Sequence, residues 1–153
     1  MAYQKLQASD ALPVVPSDTI PIPQGGGVQQ SGTSAAPTGA QLVGIGTSFL
    51  SSVKTGAIIH DSTNGVIATV LAVVSDTVLT TSAAIATGAT YEIYAYPETN
   101  GCVLYVGVAG DLRVKMASGK VVTFTDMNVG FVPLHVTQVY STGTTATDIV
   151  ALW

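Results

Sequence analysis

Charge is scarce in this chain. Only 9% of the residues are Asp, Glu, Lys or Arg, against about 25% in an ordinary soluble domain. The mean hydropathy is +0.48, yet the longest apolar run, over 66–74, falls well short of the roughly 20 residues that span a membrane. We expect no membrane segment. Since large exposed apolar patches mark interaction sites, such a chain is expected to bury much of its surface against other subunits.

Basic residues are few enough to argue against a nucleic-acid-binding role. The chain has five Lys and Arg against nine Asp and Glu, which gives a net charge of −4, and its pI is near 4.7. A nucleic-acid backbone is held by a stripe of basic side chains. Here only Arg113, Lys115 and Lys120 lie close together, in a pattern typical of a solvated hairpin. No nucleic-acid partner is expected.

A single cysteine, Cys102, excludes an intrachain disulfide and a cysteine-based zinc cluster. It opens the apolar stretch CVLYVGV, where cysteine serves as a small hydrophobic residue. The first residues lack the basic and apolar regions of a signal peptide. The protein is therefore expected to be made and kept in a cytoplasm, or packaged into something assembled there.

Motifs for catalysis and cofactor binding are also missing. His60 and His135 belong to no HxH or HExxH pair, so both are interpreted as ordinary strand residues rather than metal ligands. The stretch 44–49 has Phe49 where a dinucleotide-binding loop has its third glycine, and no long helix follows. Turn formation explains five aspartates beside Ser, Thr or Gly: Asp18, Asp61, Asp76, Asp111 and Asp126. We expect no catalytic residues, no metal and no cofactor, and interpret the protein as not an enzyme.

Proline is concentrated in residues 1–40, which hold five of the seven prolines. Because proline fixes φ and removes a donor, this segment is predicted to be an extended arm with a flexible hinge at Gly25-Gly26-Gly27, not a central strand or a helix. Its apolar residues are interpreted as anchors, either on a neighbouring surface or on the arm's own domain. The predicted assembly contacts are Leu12, Val14, Val15, Ile20 and Ile22 in the arm, and Trp153.

The rest of the chain has a β pattern. Thr, Val, Ile and Tyr are abundant, and turn residues recur about every 8–12 positions. The Asn64-Gly65 pair predicts a hairpin. We predict an all-β protein in which the arm is followed by a small β-barrel-like module over 41–97 and a β-sandwich-like module over 98–153.

Three parts of the chain together look familiar: the arm over 6–23, the stretches 46–49 and 74–79, and the tail over 101–153. The closing TGTTATDIVAL is the most specific of them. Together they resemble virion structural proteins of tailed phages and gene-transfer particles, of the head-spike-base or capsid-decoration kind. The resemblance implies a component of the particle more firmly than any one position in it.

The expected function is therefore that of a non-enzymatic virion protein that decorates or cements the capsid surface. The expected partners are the major capsid protein or another virion structural protein, together with further copies of the chain, a trimer being favoured. Such a protein would be found in the virion, after assembly in the host cytoplasm. Two alternatives stay open: a neck, tail or fibre/spike-base adaptor of the same particle, and a host-glycan-binding module that uses exposed tyrosines.

Overall fold

The computed structural model describes residues 8–24, 27–96 and 101–153. Within them the chain forms twelve strands and one helix, which confirms the predicted all-β class. Residues 1–7 of the predicted arm, most of its glycine hinge and most of the predicted module boundary lie outside the described residues. The chain divides into two compact units: Gly27–Pro97 is called the barrel unit, and Met1–Gly26 together with Glu98–Trp153 is called the sheet unit.

The elements are numbered in chain order. The barrel unit contains β2 to β7 and α1, and the sheet unit contains β1 and β8 to β12. Their bounds are β1 Ala11–Pro13, β2 Val28–Ala35, β3 Gln41–Gly44, α1 Phe49–Ser52, β4 Ile58–Asp61, β5 Val66–Val73, β6 Val78–Thr81, β7 Thr90–Tyr94, β8 Cys102–Val108, β9 Gly110–Met116, β10 Val121–Met127, β11 Gly130–Val139 and β12 Thr147–Leu152.

Six antiparallel strands close the barrel in the order β2-β3-β6-β5-β4-β7. Strands β3 and β6 bury every second residue, because successive side chains of a strand point to opposite faces. The single turn of α1 adds one buried aromatic ring to the same interior. The core is apolar and fully buried, and its largest members are Leu42, Phe49, Ile59, Leu79 and Tyr91.

The hairpin between β4 and β5 is the one that the Asn64-Gly65 pair predicts. The Asp61 carboxylate accepts the N–H groups of Thr63 and Asn64, each at 2.9 Å, and the side-chain amide of Asn64 at 2.9 Å. Gly65 takes a φ of 63°, which glycine adopts without strain. The buried carboxylate of Asp61 therefore has its hydrogen-bond donors in the turn that it stabilises.

The first barrel strand, β2, corrects the predicted boundary between arm and barrel. Residues 28–35, which were assigned to the arm, pair with β7 from Val28↔Tyr94 to Thr33↔Thr90 and with β3 at Ser34↔Gly44. Its sequence, VQQSGTSA, is poor in strand-forming residues, so tertiary pairing overrides local propensity here. A Cβ on Gly32 would lie 3.1 Å from the Tyr91 hydroxyl, so a larger residue there would require the Tyr91 ring to shift slightly.

The second module is a six-stranded antiparallel sheet of order β1-β12-β8-β11-β9-β10. Strand β11 pairs with β8 from Gly130 to Val132 and again at Val136 after a register shift, and it pairs with β9 from Val136. Pro133 falls in the interruption between Val132 and Val136, where its missing N–H breaks no ladder bond. One face buries a cluster that includes Leu104, Leu112 and Ile149.

Residues 8–24 complete this sheet, so the arm folds back on its own domain. Strand β1 pairs with β12, with Leu12 opposite Ala151. Beyond it, the N–H of Val14 donates to the carbonyl of Ile149 at 2.8 Å, and the N–H of Ile22 donates to Thr137 at 2.9 Å. Of the two surfaces considered for the anchors, the arm's own domain is the one they contact.

A stability measurement checks that the arm is part of the sheet unit. Ile22→Ala should lower the free energy of unfolding by about 2–4 kcal/mol, because it leaves a cavity in the core. The one tryptophan, Trp153, packs against this core, so its fluorescence during denaturant unfolding reports on the sheet unit. The control Val129→Ala, at a side chain 55% exposed, should change stability by less than about 0.5 kcal/mol. Equal effects of the two variants would contradict the docked arm.

Asp18 makes the docked arm sensitive to acid. The Thr142 hydroxyl donates to its carboxylate at 2.6 Å and the Thr142 N–H at 3.0 Å, and these bonds hold the Asp18 pKa below its usual value. A depressed carboxyl pKa stabilises the fold above the unfolded pKa of about 3.9, and that stabilisation is lost as the pH falls through the folded value.

Asp18→Asn should therefore be less stable than the natural protein near pH 7, and the difference should shrink once the pH falls below about 3.9. Denaturant unfolding at a series of pH values, followed by Trp153 fluorescence, measures it. Thr142→Val removes the hydroxyl donor and should weaken the pH dependence in the same way. A stability difference that stays constant down to acid pH would contradict this assignment.

Candidate functional site

The six predicted contact residues are largely occupied within the chain. Leu12, Ile20 and Ile22 are buried, Val14 and Trp153 are half-buried against the sheet-unit core, and Val15 is half-buried. Five of them thus help to build or cover one sheet, and little of their apolar surface remains for a neighbour. Their proposed role in subunit contacts stays a prediction. The other face of that sheet is a second candidate for a subunit contact.

The opposite face of the sheet unit is apolar across four neighbouring strands. In β8 the residues Cys102, Leu104 and Val106 point into the core, so Val103 and Tyr105 point outward. The register places Tyr105 between Phe131 of β11 and Val150 of β12. We use the name outer face for the following residues: Ala11, Pro13, Val103, Tyr105, Phe131, Val150 and Leu152.

Two rows run across this outer face. Pro13 lies opposite Val150, which lies opposite Tyr105, and Tyr105 lies opposite Phe131. In the second row Ala11 lies opposite Leu152, which lies opposite Val103. No member of the set carries a charge. Cross-strand neighbours on one face of a sheet form a contiguous surface, so the outer face is a continuous patch of uncharged, mainly apolar side chains.

Phe131 is a largely solvent-exposed aromatic residue in this patch. Its side chain is 69% exposed, and its ring lies 5.3 Å from the ring of Tyr105 at an interplanar angle of 63°. This edge-to-face packing fixes the orientation of both rings. An exposed aromatic pair in an uncharged surface suits contact with an apolar partner.

The two histidines belong to different units of the chain, and the one cysteine is buried. His60 is buried in the barrel unit, whereas His135 is exposed in the sheet unit. Cys102 is buried and its thiol donates to the Val136 carbonyl at 3.3 Å. Within the described ranges no three His, Cys, Asp or Glu side chains group closely enough to hold a metal ion. In the same ranges no helix has the length and apolarity to cross a membrane.

The glycine-containing stretch 44–49 is a packing element. A Cβ on Gly44 would lie 2.6 Å from Thr47 Cγ2 and 2.7 Å from Phe49 Cζ, so glycine lets the loop close over the buried ring. The Thr47 hydroxyl donates to the Asp76 carbonyl at 2.5 Å. Helix α1, at four residues, is too short to hold a phosphate group at its start.

The tyrosines do not gather on one surface. Tyr91 and Tyr94 are buried in the barrel unit, and the guanidinium of Arg113 covers the ring of Tyr140 at 4.8 Å. Tyr96 is exposed in the barrel unit, whereas Tyr105 lies on the outer face of the sheet unit. Among the described tyrosines, Tyr105 lies beside another aromatic ring, that of Phe131 at 5.3 Å, and the glycan-binding alternative stays a prediction that would rest on this pair.

Comparison with known proteins gives no assignment. No protein-family model matches the chain, no curated protein matches it, and no solved structure matches it.

The state of Cys102 gives a direct check on the buried core. Burial raises the pKa of its thiol to about 12, and the reactive species of a cysteine is the thiolate. The native protein should therefore react with Ellman's reagent at about pH 8 far more slowly than the protein unfolded in guanidinium, which should release one equivalent. The variant Val129→Cys has an additional exposed thiol, so the native variant should react with the reagent rapidly and release one equivalent. Fast labelling of the native natural protein would contradict a closed core.

Proposed function

We propose that this protein is a non-enzymatic structural component of a virus particle that decorates or cements the capsid surface. The observation that carries the proposal is the outer face of the sheet unit, a run of uncharged, mainly apolar side chains across four strands with Phe131 69% exposed. A surface of this kind is suited to burial against another protein.

The composition supports the same role. With 9% charged residues, the chain has few charges to repel a neighbouring copy. None belongs to the outer face, although Asp111, Arg113 and Lys115 alternate with core residues in β9 and therefore lie on the same side of the sheet beyond β11. Among the basic residues of the sheet unit, Arg113 is engaged by the Tyr140 ring and by the Thr142 carbonyl at 3.3 Å. The proposed partners are the major capsid protein or another virion structural protein, together with further copies of this chain in a homo-oligomer, with a trimer favoured.

The docked arm also suits a lattice protein. Residues 8–24 are tied to the sheet by backbone bonds along their length, so the unit that would face the capsid is ordered before it binds. An ordered surface loses less conformational entropy on assembly than a free arm. The neck, tail or fibre/spike-base adaptor uses the same surface and differs in the number of copies per particle.

The first test is the number of copies in purified particles, measured by quantitative mass spectrometry against the major shell protein. A large fraction of the shell protein is expected, which indicates a protein that covers the lattice. A dozen to a few tens of copies would assign the protein to the neck, tail or a spike base instead. Absence from the particle would overturn the proposal.

A second test asks whether the outer face makes the contact. Phe131→Ser should reduce incorporation into particles at least tenfold while leaving the unfolding curve of the purified protein nearly unchanged, because the ring is largely solvent-exposed before assembly. Tyr96→Ser is the matched control, since Tyr96 is an aromatic residue of the same 69% exposure in the barrel unit, and it should be incorporated normally. Equal incorporation of both variants would remove the outer face from the contact.

A further inference from the structure

The sheet unit has two edges, and they differ in how well they are protected. Strand β1 has three residues and ends on Pro13, which has no N–H to offer. Strand β10 has seven residues, and within the described part of the chain it pairs only with β9. Its first four residues, VVTF, contain no charge and no proline, the usual devices that keep an edge strand from pairing.

The register of β10 identifies which backbone groups face the open edge. The N–H of Met116 donates to the carbonyl of Lys120 at 2.8 Å, and the pairing continues with Val122 opposite Val114 and Phe124 opposite Leu112. Hydrogen-bonded positions alternate along an antiparallel pair. Val121 and Thr123 therefore direct their N–H and C=O groups away from β9, and Val121 and Thr123 also have exposed side chains.

The regular part of the edge ends at a bulge. The register shifts between Phe124 and Met127, Asp126 takes a φ of 49°, and its N–H donates to the Asp111 carboxylate at 3.0 Å. The bulge turns the strand after Phe124 and so limits the open ladder to a short segment. This segment is flanked by Lys120 on one side and by Asp126 on the other.

We propose that two copies of this chain pair edge to edge through β10, antiparallel and about a two-fold axis at Thr123. That register sets Thr123 opposite its own copy and Val122 opposite Phe124, and it brings Lys120 to the end of the paired segment where Asp126 of the other copy lies. Both Thr123 residues then use the backbone groups that face the open edge. The charges favour this orientation, because a parallel arrangement sets Lys120 against Lys120.

The pairing is isologous, so it closes as a dimer and does not grow into a fibre. It also extends the inner face of the sheet, since Phe124 packs against the core of its own copy and lies beside Val122 of the other. The contact is short, and we expect a dimer that dissociates in the micromolar range. The inference does not depend on the virion role.

Site-specific cross-linking tests the register. Thr123→Cys places two thiols opposite each other, with Cα atoms about 5.5 Å apart, a separation that a disulfide spans. Oxidised glutathione should convert this variant to a covalent dimer. Val121→Cys is the matched control on the same strand, because the two copies of residue 121 are offset by about 13 Å in this register, and it should stay monomeric on a denaturing gel. Cross-linking of both variants alike, or of neither, would overturn the proposed register.

Sedimentation velocity over a range of concentrations tests the contact itself. The natural protein should shift from monomer to dimer, and Thr123→Pro should stay monomeric, since proline removes an N–H that faces the open edge and not one bonded to β9. Lys120→Glu should weaken the dimer at least tenfold and gives a second variant if the proline disturbs folding. Lys54→Glu, an equal charge change at an exposed position in the barrel unit, should behave like the natural protein.

Two results would overturn the inference. One is a natural protein that stays monomeric at the highest concentrations, and the other is an oligomer, such as a trimer, that survives both Thr123→Pro and Lys120→Glu. Neither result bears on incorporation into particles, which the Phe131 variant measures separately. If Phe131→Ser is not incorporated into particles but still forms the dimer, the outer face is needed for incorporation and the β10 contact is unaffected.

Discussion

The pairing of β1 with β12 is the contact on which the architecture depends. It sets Ala11 opposite Leu152, so strands from both ends of the described chain complete one sheet. The whole barrel unit is inserted, in sequence, between two parts of the sheet unit. Leu12 is buried opposite Ala151 of the last strand, and Ile22 is buried beside Thr137 of β11, more than 100 residues away along the chain. Contacts of such long sequence separation make folding slow.

Local pattern was sufficient to predict the all-β class and the hairpin at Asn64-Gly65. The abundance of Thr, Val, Ile and Tyr and the recurring turn residues predict strands because each strand satisfies its own local preferences. The barrel and the second β module also follow from the spacing of the turns. These features depend on neighbours in sequence, which is the information that a single sequence holds most directly.

Features that depend on distant partners were not predicted. The Gln, Ser and Gly residues of β2 favour no strand, and β2 forms because β3 and β7 need a partner to close the barrel. Alternating apolar residues in the arm predict burial, but they do not specify against which copy of the chain. The outer face was missed because Val103 and Tyr105 extend an apolar run, and only the register shows that they share one face with Phe131 and Val150.

The outer face and the open edge of β10 belong to the same sheet. A partner on the outer face would lie above the sheet, whereas a partner on the open edge would lie in its plane. The two-fold axis of an antiparallel pair stands perpendicular to the sheet, so paired copies would present their outer faces on the same side. A dimer built in this way would contact a shell through two faces, and the second contact would form at a high effective concentration. Two weak contacts would then bind the shell tightly without any charged side chains at the interface. This is consistent with the low content of charged residues in the chain.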